Sequence, residues 1–133
     1  MAETVDDLAA RCNLIVTTPS AKDPLIRADQ VRSGTHITAM GSDDDGKQEL
    51  EAKLLAKADR VVADSVSQCS EYGECVHAIQ GGLIDASSIL ELGQVIKNPE
   101  MGRTSEDQIT IADLTGVAIQ DIQIAKMVDR ARR

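Results

Sequence analysis

The chain has 133 residues, of which 42% are hydrophobic, and 14 basic against 22 acidic side chains give it a formal net charge of −8. This length suits one domain, and the aliphatic content is sufficient for a hydrophobic core and too high for a disordered chain. Tyr72 is the single aromatic residue, which excludes base stacking on aromatic platforms. The acidic charge also disfavours nucleic acids and anionic membrane surfaces as partners.

The amino-terminal segment and the cysteines indicate a cellular compartment. Residues 1–11 are acidic and amphipathic, unlike a secretory signal peptide. No apolar run approaches the roughly 20 residues that span a membrane. Three cysteines, an odd number without a secretory signal, are typical of reduced thiols. We therefore expect a cytoplasmic protein that binds neither nucleic acid nor membrane.

The first half of the chain alternates helical patterns with short apolar runs. In chain order these patterns predict a helix over 2–11, a strand over 13–18, a short helical turn over 29–32, a strand over 35–40 and a helix over 47–58. Because the apolar runs lack polar alternation, they are typical of strands buried on both faces of a parallel sheet.

The second half continues the alternation. It predicts a strand over 61–64, a helix over 65–78, a break at 81–82, a helix over 88–97, a strand over 108–112 and a helix over 116–132. The last helix carries an apolar stripe that includes Val128. Arginines at its carboxyl end, among them Arg133, complement the helix dipole.

Strands separated by helices predict one α/β domain, residues 1–133, with a parallel sheet and flanking helices. In such a sheet ligands bind beyond the carboxyl ends of the strands. That rule indicates three loops, which begin at Thr17, Met40 and Ser65.

The segment 34–50 holds the most chemistry. Its predicted strand ends in an acidic loop flanked by glycines, and the loop is predicted to open a helix. There Asp43 can carry a proton, and Lys47 can bind a carboxylate or phosphate. The composition alone favours another interpretation, a solvated acidic turn in which glycine supplies a positive φ.

Other polar residues give weaker signals. Cys69, Cys75 and His77 lack the second pair of ligands that a zinc site needs, so we predict no metal site and expect buried, neutral thiols. His36 lies inside an apolar run and is interpreted as a hydrogen-bonded structural residue. The hydroxyls of Thr17 and Thr18 at the end of a strand can cap backbone groups or contact a ligand.

A missing motif is also informative. The nine glycines never take the spacing G-x-G-x-x-G, the turn whose backbone lets pyrophosphate approach a helix N-terminus. If the chain forms a nucleotide-binding fold, it lacks that fold's main phosphate-binding element.

Four blocks of sequence, 14–20, 34–50, 58–62 and 102–121, occur in an order and spacing that resemble the ornithine cyclodeaminase/mu-crystallin family. The resemblance covers essentially the whole chain. That family uses NAD(H) or NADP(H) on amino acids, imines or keto acids, in a homodimer with a Rossmann domain and a separate substrate domain. The resemblance therefore implies a partial Rossmann-like parallel sheet with a C-terminal helix.

The resemblance also implies roles for individual residues. Asp43 matches the family's acidic proton donor and acceptor. The residues that match cofactor contacts are Thr17, Thr18, Ile37, Thr38, Ala39, Met40 and Lys47. Thr115 matches a residue near substrate, and Leu114 stands where some members place a cofactor-binding serine, a contact that leucine cannot make. For the acidic loop, the resemblance favours a functional origin over a solvated turn.

By this resemblance the chain corresponds to the C-terminal part of the family's proteins: the second half of the Rossmann domain and a C-terminal return segment. We expect weak or no cofactor binding and catalysis from it alone. The strand at Leu14–Thr17 is expected to be an open sheet edge, which favours self-association as a dimer. A complementing N-terminal polypeptide is a further expectation. The alternative function is a non-catalytic interaction module that keeps only the fold.

Overall fold

A computed structural model describes residues 1–132, which form a five-stranded sheet with helices around it. The strands are β1 (Leu14–Thr17), β2 (His36–Ala39), β3 (Arg60–Ala63), β4 (Leu90–Glu91) and β5 (Thr110–Asp113). They lie in the order β1-β2-β5-β3-β4, and each neighbouring pair is parallel. The predicted α/β architecture with a parallel sheet is confirmed.

Six α-helices connect or follow the strands in the described part of the chain. They are α1 (Val5–Arg11), α2 (Ala52–Lys57), α3 (Val66–Cys69), α4 (Glu74–Gln80), α5 (Leu92–Lys97) and α6 (Ala118–Ala131), with 3-10 turns at Ala86–Ser88 and Pro99–Met101. Thr4 is the N-cap of α1, and its side chain accepts a hydrogen bond from the backbone N–H of Asp7 at 3.1 Å.

The hydrophobic core lies on one face of the sheet. Ile37 and Ile111 are register partners on β2 and β5, and both are fully buried. Leu54 and Leu55 of α2 belong to the same buried cluster, together with Ala78 of α4. Since side chains alternate across a strand, every second residue of β2 and β3 enters this core.

The outermost strand of the sheet on one side is β1. On the face opposite the core, Leu14 is 64% exposed and Val16 is 56% exposed. The predicted open, apolar edge at Leu14–Thr17 is therefore confirmed. The opposite edge is formed by the two residues of β4.

The predicted C-terminal helix is confirmed as α6, but its apolar stripe is not buried. None of its residues, all of which the structure describes, is buried, and Ile124, Met127 and Val128 are each more than half exposed. Arg133, expected to complement the dipole of this helix, lies outside the described residues. Within residues 1–132, no helix has the length and apolar character needed to cross a membrane.

The predicted helix over 47–58 is wrong in its first five residues, because α2 begins only at Ala52. The backbone N–H groups of Glu49 and Leu50 donate to the carboxylate of Glu74. The N–H of Glu51 donates to the carbonyl of Ile26 at 2.9 Å. For Leu50 and Glu51 these tertiary bonds replace the i→i−4 bonds of a helix that starts at residue 47, so the acidic loop does not open a helix directly.

Three further predictions of local structure need correction. In the segment 29–32, residues 29–30 belong to a turn with a bond from Gln30 N–H to the Arg27 carbonyl and residues 31–32 are irregular, so the segment forms no helix. The predicted helix over 65–78 is divided into α3 and α4 at Gly73, whose φ is +104°. The predicted helix over 88–97 begins at residue 92, because residues 90–91 pair with β3 instead.

Candidate functional site

Three parallel strands end side by side at the candidate site. Thr17 of β1 is in register with Ala39 of β2, which is in register with Asp113 of β5. The backbone continues this pairing beyond the strands, because Met40 N–H donates to the Thr17 carbonyl and Leu114 N–H to the Ala39 carbonyl, both at 2.9 Å. The predicted loops after Thr17 and at Met40 therefore lie at one edge of the sheet.

The buried side chain of Glu49 joins the ends of β1 and β2. Its Oε2 accepts hydrogen bonds from Thr17 Oγ1 at 2.8 Å, Met40 N–H at 3.1 Å and Gly41 N–H at 3.0 Å. In the sequence, Glu49 lies in the block 34–50, and neither its pattern nor the family resemblance predicts a role for it. The signal at this position is an acidic residue directly before Leu50, in the segment that precedes α2.

Glu74, the first residue of α4, holds the backbone of Glu49. Its Oε1 accepts from Glu49 N–H and its Oε2 from Leu50 N–H, each at 2.8 Å. The carboxyl is fully buried, and this burial raises its pKa to about 7, although the two backbone N–H donors oppose the shift.

Asp113, at the end of β5, holds the start of α4 in turn. Its Oδ2 accepts from the backbone N–H groups of Glu74 and Cys75, both at 2.9 Å. Burial raises the pKa of Asp113. We call Asp113, Glu74 and Glu49 the carboxyl relay. Asp113 binds the backbone N–H of Glu74, Glu74 binds the backbone N–H of Glu49, and Glu49 binds the backbone directly after β2.

In the acidic loop, the two residues singled out from the sequence pair with each other. Lys47 Nζ donates to Asp43 Oδ1 at 2.5 Å, and this bond lowers the pKa of Asp43 and raises that of Lys47. Asp43 is exposed. The carbonyl of Lys47 accepts from Ser42 Oγ and bonds His77 Nε2, each at 2.8 Å. The loop thus has a fixed backbone beneath an accessible ion pair.

The residues matched to cofactor contacts differ in accessibility. The side chains of Ile37 and Ala39 lie in the core, and Thr17 is 8% exposed with its hydroxyl bonded to Glu49. Thr38 is half-buried and bonds His36 Nε2 at 3.2 Å. The accessible members are Thr18, Met40 and, in part, Lys47.

The residues after β5 are held by another carboxylate. Thr115 is buried, its hydroxyl bonds Asp64 Oδ1 at 3.2 Å, and it accepts from Gln68 Nε2 at 2.8 Å. The backbone N–H of Gly116 donates to Asp64 Oδ2 at 2.8 Å. Leu114 is half-buried beside this cluster.

The buried cysteines are neutral thiols, as expected. Burial raises the pKa of Cys69 to about 12 and also raises that of Cys75, so neither supplies a thiolate at neutral pH. His36 bonds Thr110 Oγ1 at 2.7 Å, which confirms it as a hydrogen-bonded residue. In the described part of the chain, no group of three or more His, Cys, Asp or Glu side chains is arranged so that it could hold a metal ion.

Comparisons with known proteins agree with this architecture. The model of the ornithine cyclodeaminase/mu-crystallin family matches residues 1–133. The alanine dehydrogenase of Archaeoglobus fulgidus is 42% identical over 121 residues, which are 90% of this chain and 37% of that protein.

Solved structures give the same result. The iminosuccinate reductase of Paracoccus denitrificans in complex with NAD+ superposes with a TM-score of 0.85 and 43% identity, over 91% of this chain and 37% of that one. An archaeal alanine dehydrogenase dimer with bound NAD has a TM-score of 0.81 and 42% identity, over 88% and 37%. The chain thus spans little more than a third of the length of these relatives.

Proposed function

Because the chain belongs to the ornithine cyclodeaminase/mu-crystallin family, we propose that it binds the nicotinamide end of NAD or NADP at the carboxyl ends of β1 and β2. The observation that carries this proposal is that Met40, Asp43 and Lys47 lie on one accessible loop, which follows β2 and adjoins the end of β1. The NAD bound to two similar structures supports it. In the whole protein the reaction is a hydride transfer on an amino acid, imine or keto acid.

The three loop residues have different proposed roles, which follow from their side-chain chemistry. Met40, which is 48% exposed, offers an apolar surface to a flat ring. Lys47 supplies a cation for a phosphate or carboxylate. The bond from Lys47 lowers the pKa of Asp43, so Asp43 is a weaker base while this ion pair is intact. When a bound anion attracts Lys47 away, Asp43 regains basicity and can accept a proton from substrate. A nicotinamide cofactor bound here would supply or accept the hydride.

The residues of this chain fit the nicotinamide end of the cofactor well and its pyrophosphate poorly. The sequence contains no G-x-G-x-x-G turn, and each charge-assisted hydrogen bond that such a turn provides contributes about 1.5–3 kcal/mol. The hydroxyl of Thr115, a residue matched to a substrate contact, is already hydrogen-bonded to Asp64. We therefore propose weak cofactor affinity and little catalysis for residues 1–133 by themselves.

Titration calorimetry with NADH and NADPH tests this function. We expect saturable binding that Lys47→Ala weakens by about tenfold, since it removes one charge-assisted contact. Lys53→Ala is the matched control: Lys53 is 75% exposed and lies 3.9 Å from Glu51 in an exposed ion pair, and its removal should leave the affinity unchanged. Absence of heat from the unsubstituted chain at millimolar ligand would contradict the proposal and favour a non-catalytic module.

We further propose that the chain self-associates as a dimer through the apolar edge at β1. The archaeal alanine dehydrogenase is a dimer, and exposed Leu14 and Val16 next to unpaired strand backbone favour pairing. In sedimentation velocity, Val16→Lys should shift the chain toward monomer at high micromolar concentration. Ile96→Lys, at an even more exposed apolar site on α5, should not. A monodisperse monomer for the unsubstituted chain would disprove self-association.

A second polypeptide could occupy the same edge instead. We propose that a complementing N-terminal half, with the glycine-rich turn, would cover β1 and complete a Rossmann domain whose second half is residues 1–133. We also propose a cytoplasmic location, because all three cysteines are free thiols and reduced thiols are typical of cytoplasmic proteins. Co-purification of such a partner from the native host is the corresponding observation.

A further inference from the structure

We infer that the carboxyl relay positions the acidic loop, and that Glu74 is the positioning residue on which the loop depends. The relay runs from Asp113 at the end of β5, through Glu74 at the start of α4, to Glu49 beneath β1 and β2. The inference rests on the proposed function only in that the positioned loop is the one assigned to the cofactor.

The relay closes the loop at both of its ends. Glu49 binds the N–H groups of Met40 and Gly41, where the loop begins, while its own N–H is bound by Glu74, where the loop ends. His77, also on α4, bonds the Lys47 carbonyl between these points. The placement of Asp43 and Lys47 relative to the strand ends therefore depends on α4.

Two glycines lie where the carboxyl groups of the relay leave no room for a side chain. A Cβ at Gly41 would lie 2.4 Å from Glu49 Oε1, and a Cβ at Gly73 would lie 2.9 and 3.0 Å from the two oxygens of Asp113. Both positions lie next to a carboxyl of the relay. Residues larger than glycine would displace the carboxyl groups that hold the loop.

The three carboxyls differ in how many of their oxygens accept hydrogen bonds. Both oxygens of Glu74 accept from backbone N–H groups. Within residues 1–132, Glu49 Oε1 and Asp113 Oδ1 have no hydrogen-bond partner. An amide at Glu49 can therefore place its NH2 group on the free side, whereas an amide at Glu74 must direct NH2 toward a backbone N–H.

The experiment compares Glu74→Gln with Glu49→Gln in the full chain, using amide hydrogen exchange followed by NMR. For Glu74→Gln we expect the amides of Glu49 and Leu50 to exchange about tenfold faster, as one buried N–H loses its acceptor, while amides of β3 are unchanged. NADH affinity should fall by about the same factor. Glu49→Gln should leave the exchange of the Glu49 and Leu50 amides unchanged, because both N–H groups still donate to Glu74.

Two outcomes would overturn the inference: unchanged exchange in Glu74→Gln, or equal loss in both variants, which would mean that charge rather than acceptor geometry matters. If Glu74→Gln does not fold, Glu74→Asp is the second variant, because it keeps both acceptors at shorter reach and should also release the Glu49 and Leu50 amides. An unsubstituted chain that binds no NADH contradicts the proposed function, and the exchange measurements still decide the relay.

Discussion

Replacing Gly41 with alanine is expected to lower the free energy of unfolding by about 3 kcal/mol or more. The added Cβ would lie 2.1 Å from the Pro19 carbonyl oxygen and 2.4 Å from Glu49 Oε1. Neither neighbour can move freely, since the first is backbone and the second belongs to a carboxylate bound by three donors. The strain arises from contact and not from φ, because Gly41 is not among the positive-φ glycines.

Urea unfolding followed by far-UV circular dichroism measures this effect. The matched control is Gly93→Ala in α5, where an added Cβ meets no atom within 4 Å. Alanine there should leave stability unchanged or raise it by up to about 1 kcal/mol, through its greater helix propensity. If Gly41→Ala unfolds at the same urea concentration as the unsubstituted chain, the Glu49 carboxylate does not occupy the place assigned to it.

Much of the fold was predictable because its signals are local. Short apolar runs without polar alternation identify β1, β2, β3 and β5, and their parallel arrangement brings Thr17 and Met40 to one edge. The two residues of β4 are too few for any periodicity. The insertion of β5 between β2 and β3 is a long-range pairing that no local pattern encodes.

The candidate site was predictable only in its accessible part. Asp43 and Lys47 stand in a polar loop and match the family pattern, whereas Glu74 and Asp113 look like ordinary solvated acids in the sequence. Their partners are backbone N–H groups distant along the chain: Glu74 binds residues 24 and 25 positions away, and Asp113 residues 38 and 39 positions away. Bonds of this kind also delay the start of the predicted helix from residue 47 to residue 52, because the N–H groups of Leu50 and Glu51 donate to Glu74 and to the Ile26 carbonyl instead of to helical acceptors.

The pH dependence of stability should report the state of Glu74. Its pKa is raised by burial from 4.5 to about 7 on folding, so between these values the folded chain holds a proton that the unfolded chain has released. Stability from this group is therefore complete below pH 4.5 and is lost as pH rises toward 7. At about 1.4 kcal/mol per pKa unit, the loss amounts to about 3 kcal/mol.

The groups hydrogen-bonded to Glu74 either add to this loss of stability at higher pH or do not titrate. Asp113 also has a raised pKa, from burial, and so adds to the loss, while the N–H groups of Glu49 and Leu50 do not titrate. Glu74→Gln isolates the Glu74 share, because glutamine stays neutral at every pH. The variant should be less stable at pH 4.5 by the cost of one unpaired N–H, and its deficit should shrink as pH rises to 7. Urea titrations of both proteins at several pH values measure this convergence; a constant difference would show that Glu74 is ionised throughout, with its two N–H bonds outweighing burial.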